Sequence, residues 1–186
     1  MLRIGLAFVL ATVTLGLPLR VHAQGLDLAS VVLTESDVPS GLRLSRDHSG
    51  AQERNGAPGY QVTFEADPSQ VGPGSGGIAV VMNLVALPSD PVAGLDEISQ
   101  SAKQSLPGTA TDLAPPAVGE ESRAFTSNAG FGPFAMTVAT TTFRRNGVVA
   151  GVTVMSAGGQ PQIEQCLRLA QIVDSRLMAA GNRSGT

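Results

Sequence analysis

Residues 134–156 read FAMTVATTTFRRNGVVAGVTVMS and predict a β-hairpin. Asn146-Gly147 is the dipeptide that a two-residue type I′ turn prefers, because both central residues of that turn need a positive φ. A two-residue loop pairs position 145 with 148, 143 with 150, 141 with 152 and 139 with 154. One face of the hairpin then carries apolar side chains and is assigned to the core: Ala139, Phe143, Ala150, Val152 and Val154. The other face shows Thr140, Thr142 and Thr153, which we expect to meet solvent.

Two helices and further strands flank this hairpin. Asp90-Pro91 provides an N-cap and a proline at the first helical position, which predicts a helix near 90–106. A second amphipathic helix is predicted over 160–180, with Gly181 as its stop. Alternating or apolar runs predict strands at 42–45, 60–66, 78–87 and 123–126, whereas 49–59, 67–77 and 107–118 are expected to be loops.

The order of these elements is strand, strand, strand, helix, repeated once. A mainly antiparallel sheet of about six strands in βββα-βββα order, covered on one face by the two helices, fits this pattern, and the fold class is α+β. The missing alternation of single strands and helices argues against a doubly wound parallel fold. We expect a single domain over 24–181 and a disordered tail at 182–186.

The first 23 residues predict a cleaved secretory signal peptide. Arg3 supplies the charged start, the apolar stretch from Ile4 to Leu19 has 16 residues, and the small residues of Val21-His22-Ala23 place cleavage before Gln24. A retained membrane anchor is the alternative, but 16 residues fall short of the roughly 20 that span a bilayer. We therefore expect a secreted or periplasmic protein with no transmembrane segment in its mature chain.

Composition excludes several classes of protein. The mature chain has 10 basic and 15 acidic residues, a net charge of −5, and its largest basic cluster is Arg144-Arg145. A nucleic-acid partner is therefore not expected, because such binders carry a basic face. One cysteine and two histidines exclude a Cys/His zinc site, an iron–sulfur cluster and a disulfide framework.

Three short motifs carry the residue types of known sites. Asp47-His48-Ser49 contains the residues of a hydrolase triad, but triad members come from separate segments, so a polar loop is favoured. The glycine-rich stretch 72–77 lacks the lysine of a phosphate loop and precedes a strand, which favours a plain hairpin connection. Glu120-Glu121 and Glu65-x-Asp67 could act in acid/base chemistry or hold Ca²⁺, although solvated carboxylates are the favoured interpretation.

The remaining candidates are expected to be structural. Arg144 and Arg145 should point to opposite faces and keep the turn soluble, with anion binding as the alternative. Cys166 lies on the apolar stripe of the last helix, so we expect a buried thiol; an intermolecular disulfide and a nucleophile are the alternatives. The aromatic residues are assigned to the core, and a shallow apolar pocket between sheet and helices stays open: Tyr60, Phe64, Phe125, Phe131, Phe134 and Phe143.

Two segments carry a resemblance to known proteins. Leu33-Thr34-x-x-Asp37-Val38-Pro39-x-Gly41-Leu42, and the hairpin around Asn146-Gly147 with its closing helix, resemble small secreted or lipid-anchored bacterial domains. Several of those are similar to the PsbP-like fold or to extracellular sensor domains of actinobacterial kinases. The resemblance implies an envelope-type domain and assigns no functional residue. Gln24 stands where a lipid anchor needs cysteine, which argues against anchoring and signalling.

Two classes of function follow from these observations. We expect no catalytic, cofactor-binding or metal-ligating residue, no cofactor, and a secreted non-enzymatic binding module of the bacterial cell envelope. Its ligand would be a small apolar molecule, an envelope component or a protein partner. The alternative is a secreted hydrolase whose site forms only in the fold. Carboxylates, His48 and a hydroxyl converging in one cleft would favour the enzyme, and an apolar pocket without titratable groups would favour binding.

Overall fold

The structure, a computed structural model, describes residues 22–23, 26–54, 56–72, 74–130 and 135–183. Most of the predicted signal peptide, Gln24 at its cleavage site, and the last three residues of the predicted tail lie outside the described residues. The elements follow in chain order: β1 (His22–Ala23), β2 (Leu26–Asp27), a 3₁₀ turn (Leu28–Ser30), β3 (Leu42–Leu44), a second 3₁₀ turn (Arg46–His48), β4 (Gly50–Arg54), β5 (Ala57–Ala66), β6 (Ile78–Ala86), α1 (Pro91–Ser105), β7 (Thr109–Leu113), β8 (Glu121–Ala129), β9 (Met136–Arg145), β10 (Val148–Ala157) and α2 (Ile163–Arg183).

Eight strands form one antiparallel sheet in the order β3-β5-β6-β10-β9-β8-β7, and β4 pairs with β5 beside β3. β1 and β2 pair separately. The α+β class with a large antiparallel sheet and two helices is confirmed. β4 and β7 were expected to be loops, and that expectation is wrong. Both are exposed strands with a single pairing partner, so they need no apolar alternation to form.

The hairpin of β9 and β10 has the predicted register. Arg145 pairs with Val148 across Asn146-Gly147, and the pairing continues through Phe143 with Ala150 to Ala139 with Val154. The φ angles of Asn146 and Gly147 are +51° and +78°, which the type I′ turn requires at both positions. The two-residue turn is therefore confirmed.

The two helices cover opposite faces of the sheet. Cys166 of α2 donates from its thiol to the Val152 carbonyl, 3.3 Å away, and lies 3.6 Å from the Thr141 hydroxyl. Ser99 of α1 lies 2.7 Å from the hydroxyl of Thr142, the next residue of β9. Because successive strand residues point to opposite faces, α1 and α2 lie on opposite sides. The expectation that both helices cover one face is wrong.

The same geometry corrects the assignment of the threonine face. Thr140 and Thr142 are only 2% and 1% exposed, because α1 packs on the side that was expected to meet solvent. Their hydroxyls stay hydrogen-bonded, Thr140 with Thr153 at 3.1 Å and Thr142 with Ser99. Hydrogen bonding of this kind removes most of the cost of burying a hydroxyl group.

The main hydrophobic core lies on the α2 face. It is closed by α2 and by residues 28–38, which we call the strap and whose buried side chains are Leu28, Val31, Val32, Leu33 and Val38. The fully buried Asn83 of β6 accepts from the Leu33 N–H at 3.0 Å. Arg176 of α2 donates to the Val32 carbonyl and pairs with Asp37 at 2.9 Å. The strap therefore contacts both β6 of the sheet and the helix α2.

α2 continues through Gly181 to Arg183, beyond its predicted end. A Cβ at position 181 would lie 2.3 Å from the side-chain nitrogen of Asn146, which donates to the Leu177 carbonyl. Gly181 therefore allows the hairpin turn to approach the helix and does not terminate it. In the part of the chain that the structure describes, no helix combines the length and apolarity needed to cross a bilayer.

Candidate functional site

The histidine of the Asp47-His48-Ser49 motif contacts a different serine and a different acid. His48 Nδ1 lies 2.7 Å from Glu65 Oε1 and 3.2 Å from the Ser45 hydroxyl. Both contacts use one ring nitrogen, whereas a triad histidine holds the acid on one nitrogen and the nucleophile on the other. The side chains of His48 and Glu65 are 44% and 42% exposed. This cluster does not have the geometry of a hydrolase site.

The acidic pair beside the hairpin turn forms salt bridges and is not freely solvated as expected. Arg144 binds Glu120 at 2.8 Å and Glu121 at 3.1 Å, while Arg123 binds Glu121 at 2.7 Å. Hydrogen bonds from Arg123 and then Arg144 lower the pKa of the Glu121 carboxyl. The pairing arises because β8 places the carboxylates directly beside β9. These charges therefore stabilise the end of the sheet.

Arg145 points to the other face, as predicted, and forms a bidentate pair with Asp174 of α2 at 2.6 and 2.8 Å. Burial acts to raise the pKa of Asp174, but hydrogen bonds from Arg145 and the Gly119 N–H outweigh it and lower the pKa. Both arginines at the turn thus hold carboxylates of this chain, which does not support the anion-binding alternative.

The other predicted candidates lie in structural settings. Asp67 caps its own turn by accepting from the Ser69 N–H and hydroxyl at 2.8 and 2.7 Å. The glycine-rich stretch 72–77 joins the antiparallel neighbours β5 and β6, as a hairpin connection should. Among the described residues, no three His, Cys, Asp or Glu side chains are grouped so that they could hold a metal ion.

Cys166 is 1% exposed on the inner face of α2, which confirms the predicted burial. Burial raises the pKa of its thiol to about 11, and the hydrogen bond with Thr141 opposes this shift only in part. A thiol with such a pKa stays protonated and unreactive at neutral pH. Phe64, Phe125 and Phe143 are also buried, as predicted, whereas Phe131 and Phe134 lie outside the described residues.

A groove of about 660 Å³ runs between α1 and β8, and we call it the α1 groove. All eight of its described lining residues are polar or charged, and seven of them come from one side of α1: Asp96, Glu97, Ser99, Gln100, Ser101, Lys103, Gln104 and Arg123. α1 buries Leu95 against the sheet and presents these polar residues beside β8. The volume falls within the usual range for ligand sites.

The cations of the α1 groove are already paired. Arg123 binds Glu121 at 2.7 Å and Asp96 at 3.3 Å, and the first contact contributes most to the raised pKa of Arg123. Lys103 pairs with Asp112 of β7, and its ammonium lies 5.4 Å from the centre of the Phe125 ring. At the bottom of the groove, the Ser99 hydroxyl donates to the Leu95 carbonyl and also forms a hydrogen bond with the Thr142 hydroxyl. The charged walls are therefore held in place by the protein itself.

Two glutamines form the open rim of the α1 groove. Gln100 and Gln104 are exposed and lie four positions apart on α1, so their side chains are neighbours. Within the described ranges, neither amide has a hydrogen-bond partner, and both are free to bind a ligand. The site was not predicted from the sequence, because Arg123 comes from the strand β8 and the other lining residues come from the helix α1. The polar residues at helical spacing along α1 were a usable signal.

A smaller cavity of about 340 Å³ lies on the other side of α1. Its lining combines apolar residues of β5, β6 and α1 with two carboxylates and two hydroxyls: Glu53, Ala57, Ala86, Pro88, Gly94, Glu97, Ile98, Ser101 and Ser105. The Pro88 ring occupies the space of a Cβ at position 94, which explains the glycine there. Because Glu53 and Glu97 line this cavity, it differs from the apolar pocket that the sequence left open, and His48 is not among its lining residues.

Comparison with known proteins gives one match of structure. No protein-family model and no curated protein matches the chain. A solved structure, that of LpqN, described as involved in cell envelope biogenesis of Mycobacterium tuberculosis, is similar over 74% of this chain and 78% of that one, with 15% identity and a TM-score of 0.34. The resemblance to PsbP-like and kinase-sensor domains stays a prediction.

Proposed function

We propose that this protein is an exported, non-catalytic binding module of the bacterial cell envelope, and that the α1 groove is its binding surface. The observation that carries the proposal is the chemistry of the groove: its cations are neutralised by carboxylates of the protein, while the amides of Gln100 and Gln104 stay unpaired. Fixed walls with free hydrogen-bonding groups suit recognition of a ligand better than proton transfer.

The residues that line the α1 groove favour a polar ligand over a small apolar molecule, which was one of the three ligand classes left open by the sequence. Each side chain of the lining offers hydrogen-bond donors or acceptors, and an apolar ligand would cover them without pairing. Leaving a buried donor or acceptor unpaired costs about 1 to 3 kcal/mol. A polar ligand avoids this cost because it replaces the lost water contacts.

The envelope location rests on the amino-terminal sequence. Arg3, the apolar stretch and the small residues before Gln24 are the features that signal peptidases and export machinery read. N-terminal sequencing of the protein recovered outside the cytoplasm tests this part of the proposal. The expected first residue is Gln24, and an intact Met1 in the cytoplasm would contradict it.

Native mass spectrometry tests the binding function. The protein is isolated from the envelope fraction of its own organism, and a retained mass that is absent from a Gln100→Ala/Gln104→Ala variant is the expected result. The rival hydrolase predicts a turnover product and no retained mass. Its best-placed residues are His48 and Glu65, so loss of an envelope-hydrolysing activity in His48→Ala would overturn the proposal in favour of the enzyme.

A further inference from the structure

We infer that the α1 groove recognises a neutral, hydroxyl-rich ligand, which means a carbohydrate. The inference rests on the proposed function and narrows it to one chemical class. It is carried by three observations: the balance of charge in the groove, the absence of apolar side chains among its described lining residues, and the pair of free amides at its rim.

The balance of charge disfavours a charged ligand. The lining carries two carboxylates, Asp96 and Glu97, and two cations, Lys103 and Arg123. The cations are bound to Asp112, Glu121 and Asp96, so an anionic ligand would have to displace a carboxylate that the fold already holds beside them. A cationic ligand would have to compete with Arg123 for the Asp96 carboxylate. A neutral ligand needs no such exchange.

The hydrogen-bonding groups match a sugar. Each glutamine amide offers two N–H donors and a carbonyl acceptor, and the Asp96 carboxylate, whose side chain is 65% exposed, keeps acceptor sites free. A sugar hydroxyl both donates and accepts, so neighbouring hydroxyls can bind an amide and a carboxylate at once. Gln100 and Gln104 lie about 6 Å apart along the helix surface and can contact different hydroxyls of one ligand.

A peptide is the other ligand that alternates donors and acceptors. Peptide recognition gains most of its affinity from a few anchoring side chains that fill apolar pockets. The described lining of the α1 groove contains no apolar residue that could form such a pocket. Hydrogen bonds to water compete with those to a ligand, so each one adds little affinity and several of them must act together.

NMR titration of the full-length exported protein tests the inference. The probes are a neutral β-linked N-acetylglucosamine tetrasaccharide, a neutral β-linked glucose tetrasaccharide, inorganic phosphate, a blocked tri-alanine peptide and dodecanol. Backbone amide shifts at 96–104 and at Arg123 are expected with at least one saccharide. Gln100→Ala/Gln104→Ala should weaken that binding about tenfold, whereas Gln171→Ala on the exposed side of α2 should leave it unchanged.

The outcomes separate this inference from the proposal on which it rests. Groove shifts with the peptide, phosphate or dodecanol, and none with either saccharide, would overturn the carbohydrate assignment and leave a binding module. An equal loss of saccharide binding in Gln171→Ala would also overturn it, because the contact would then not be local. Silence of the groove toward every probe would overturn the carbohydrate assignment, and if the envelope fraction also gives no retained mass, the proposed binding function is overturned as well.

Discussion

The two faces of the sheet are built from different chemistry. The α2 face buries a continuous apolar core beneath α2 and the strap, and it includes Phe64, Phe143 and a row of valines. The α1 face buries fewer large apolar side chains, carries the hydrogen-bonded hydroxyls of Thr140 and Thr142, and is bordered by the polar α1 groove. The contrast teaches that stability is concentrated on one face and hydrogen-bonding capacity on the other.

The largest effect is expected from a charge placed in the α2 face. Cys166→Arg buries a cation among apolar side chains that offer it no carboxylate, and an uncompensated buried charge costs about 3 to 5 kcal/mol. That loss takes most of the stability of a small domain, so little folded protein should be recovered. Far-UV circular dichroism and urea unfolding provide the measurement, with Gln171→Arg on the exposed side of α2 as the control.

Removing one phenylalanine from each face compares their packing directly. Phe143 is packed so tightly that a Cβ on Gly119 would come within 3.0 Å of its ring, whereas Phe125 lies under Lys103 beside the open groove. Phe→Ala in a core costs about 3 to 5 kcal/mol, and we expect Phe143→Ala near the upper end and Phe125→Ala near the lower. Urea unfolding measures both, and a larger cost for Phe125→Ala would contradict the comparison.

Replacing Asn83 tests the buried hydrogen bonds that connect the strap to the sheet on the α2 face. Its side chain accepts from Leu33 and donates to the carbonyls of Gly151 and Leu84. Asn83→Ala leaves a buried N–H of the strap without a partner, which costs about 1 to 3 kcal/mol. Hydrogen exchange should accelerate across the strap. Asn128→Ala, at an exposed position of β8, should change stability by less than about 0.5 kcal/mol.

Acid should weaken the contacts that hold α2 through two carboxylates, Asp37 of the strap and Asp174 of α2. Burial acts to raise the pKa of Asp37, but hydrogen bonds from Thr34 and Arg176 outweigh it, so the pKa is lowered. The pKa of Asp174 is lowered in the same way, by hydrogen bonds that include those from Arg145. A carboxyl whose pKa is lower in the folded state stabilises the fold above its unfolded pKa of about 4, and this contribution is lost as the pH falls further. Asp174→Asn should cost about 1 to 2 kcal/mol at pH 7.

The pH dependence separates this effect from simple loss of packing. Thermal unfolding of Asp174→Asn should differ from the parent protein at pH 7 and differ less at pH 3, because below a pH of about 4 the carboxyl binds a proton more readily in the unfolded chain than in the folded one. Glu164→Gln, at an exposed position of α2, should behave like the parent at both pH values. A constant difference across the pH range would show that the carboxylate charge does not contribute.

The smallest expected effect is removal of the Cys166 thiol. Cys166→Ala should cost about 1 kcal/mol, because only one buried sulfur atom is lost from the core. In the native protein a bulky thiol reagent should react at the rate of unfolding, since the thiol is 1% exposed and its pKa is about 11. Rapid labelling of the folded protein would contradict the burial and restore the nucleophile and dimer alternatives.

Local signals predicted their elements well. The register of β9 and β10 follows from the two residues of the turn, and α1 begins at the proline that follows its Asp90 cap. β4 and β7 were missed because each forms by pairing with a neighbouring strand. Their own five residues are mostly polar or small and show no alternation that would indicate a strand.

The side of the sheet that α1 covers and the residues that line the α1 groove could not be predicted from local signals. Threonine occurs on strand faces exposed to solvent and also on buried faces where its hydroxyl is hydrogen-bonded. The sequence therefore could not show that Thr140 and Thr142 are buried beneath α1. Arg123 lies 19 to 27 positions further along the chain than the α1 residues that share its groove. The site therefore emerges only when the sheet brings β8 beside α1.

The strap also has a consequence for the order in which the chain can fold. Arg176 contacts the carbonyl of Val32 across 144 positions of the sequence, and Arg168 donates to the Asp37 carbonyl across 131. Contacts between residues so distant in sequence form late and slow the folding of small proteins. A chain that leaves the ribosome or an export channel amino end first cannot seal its core until its last helix has emerged, so the earliest segment to appear is among the last to be secured.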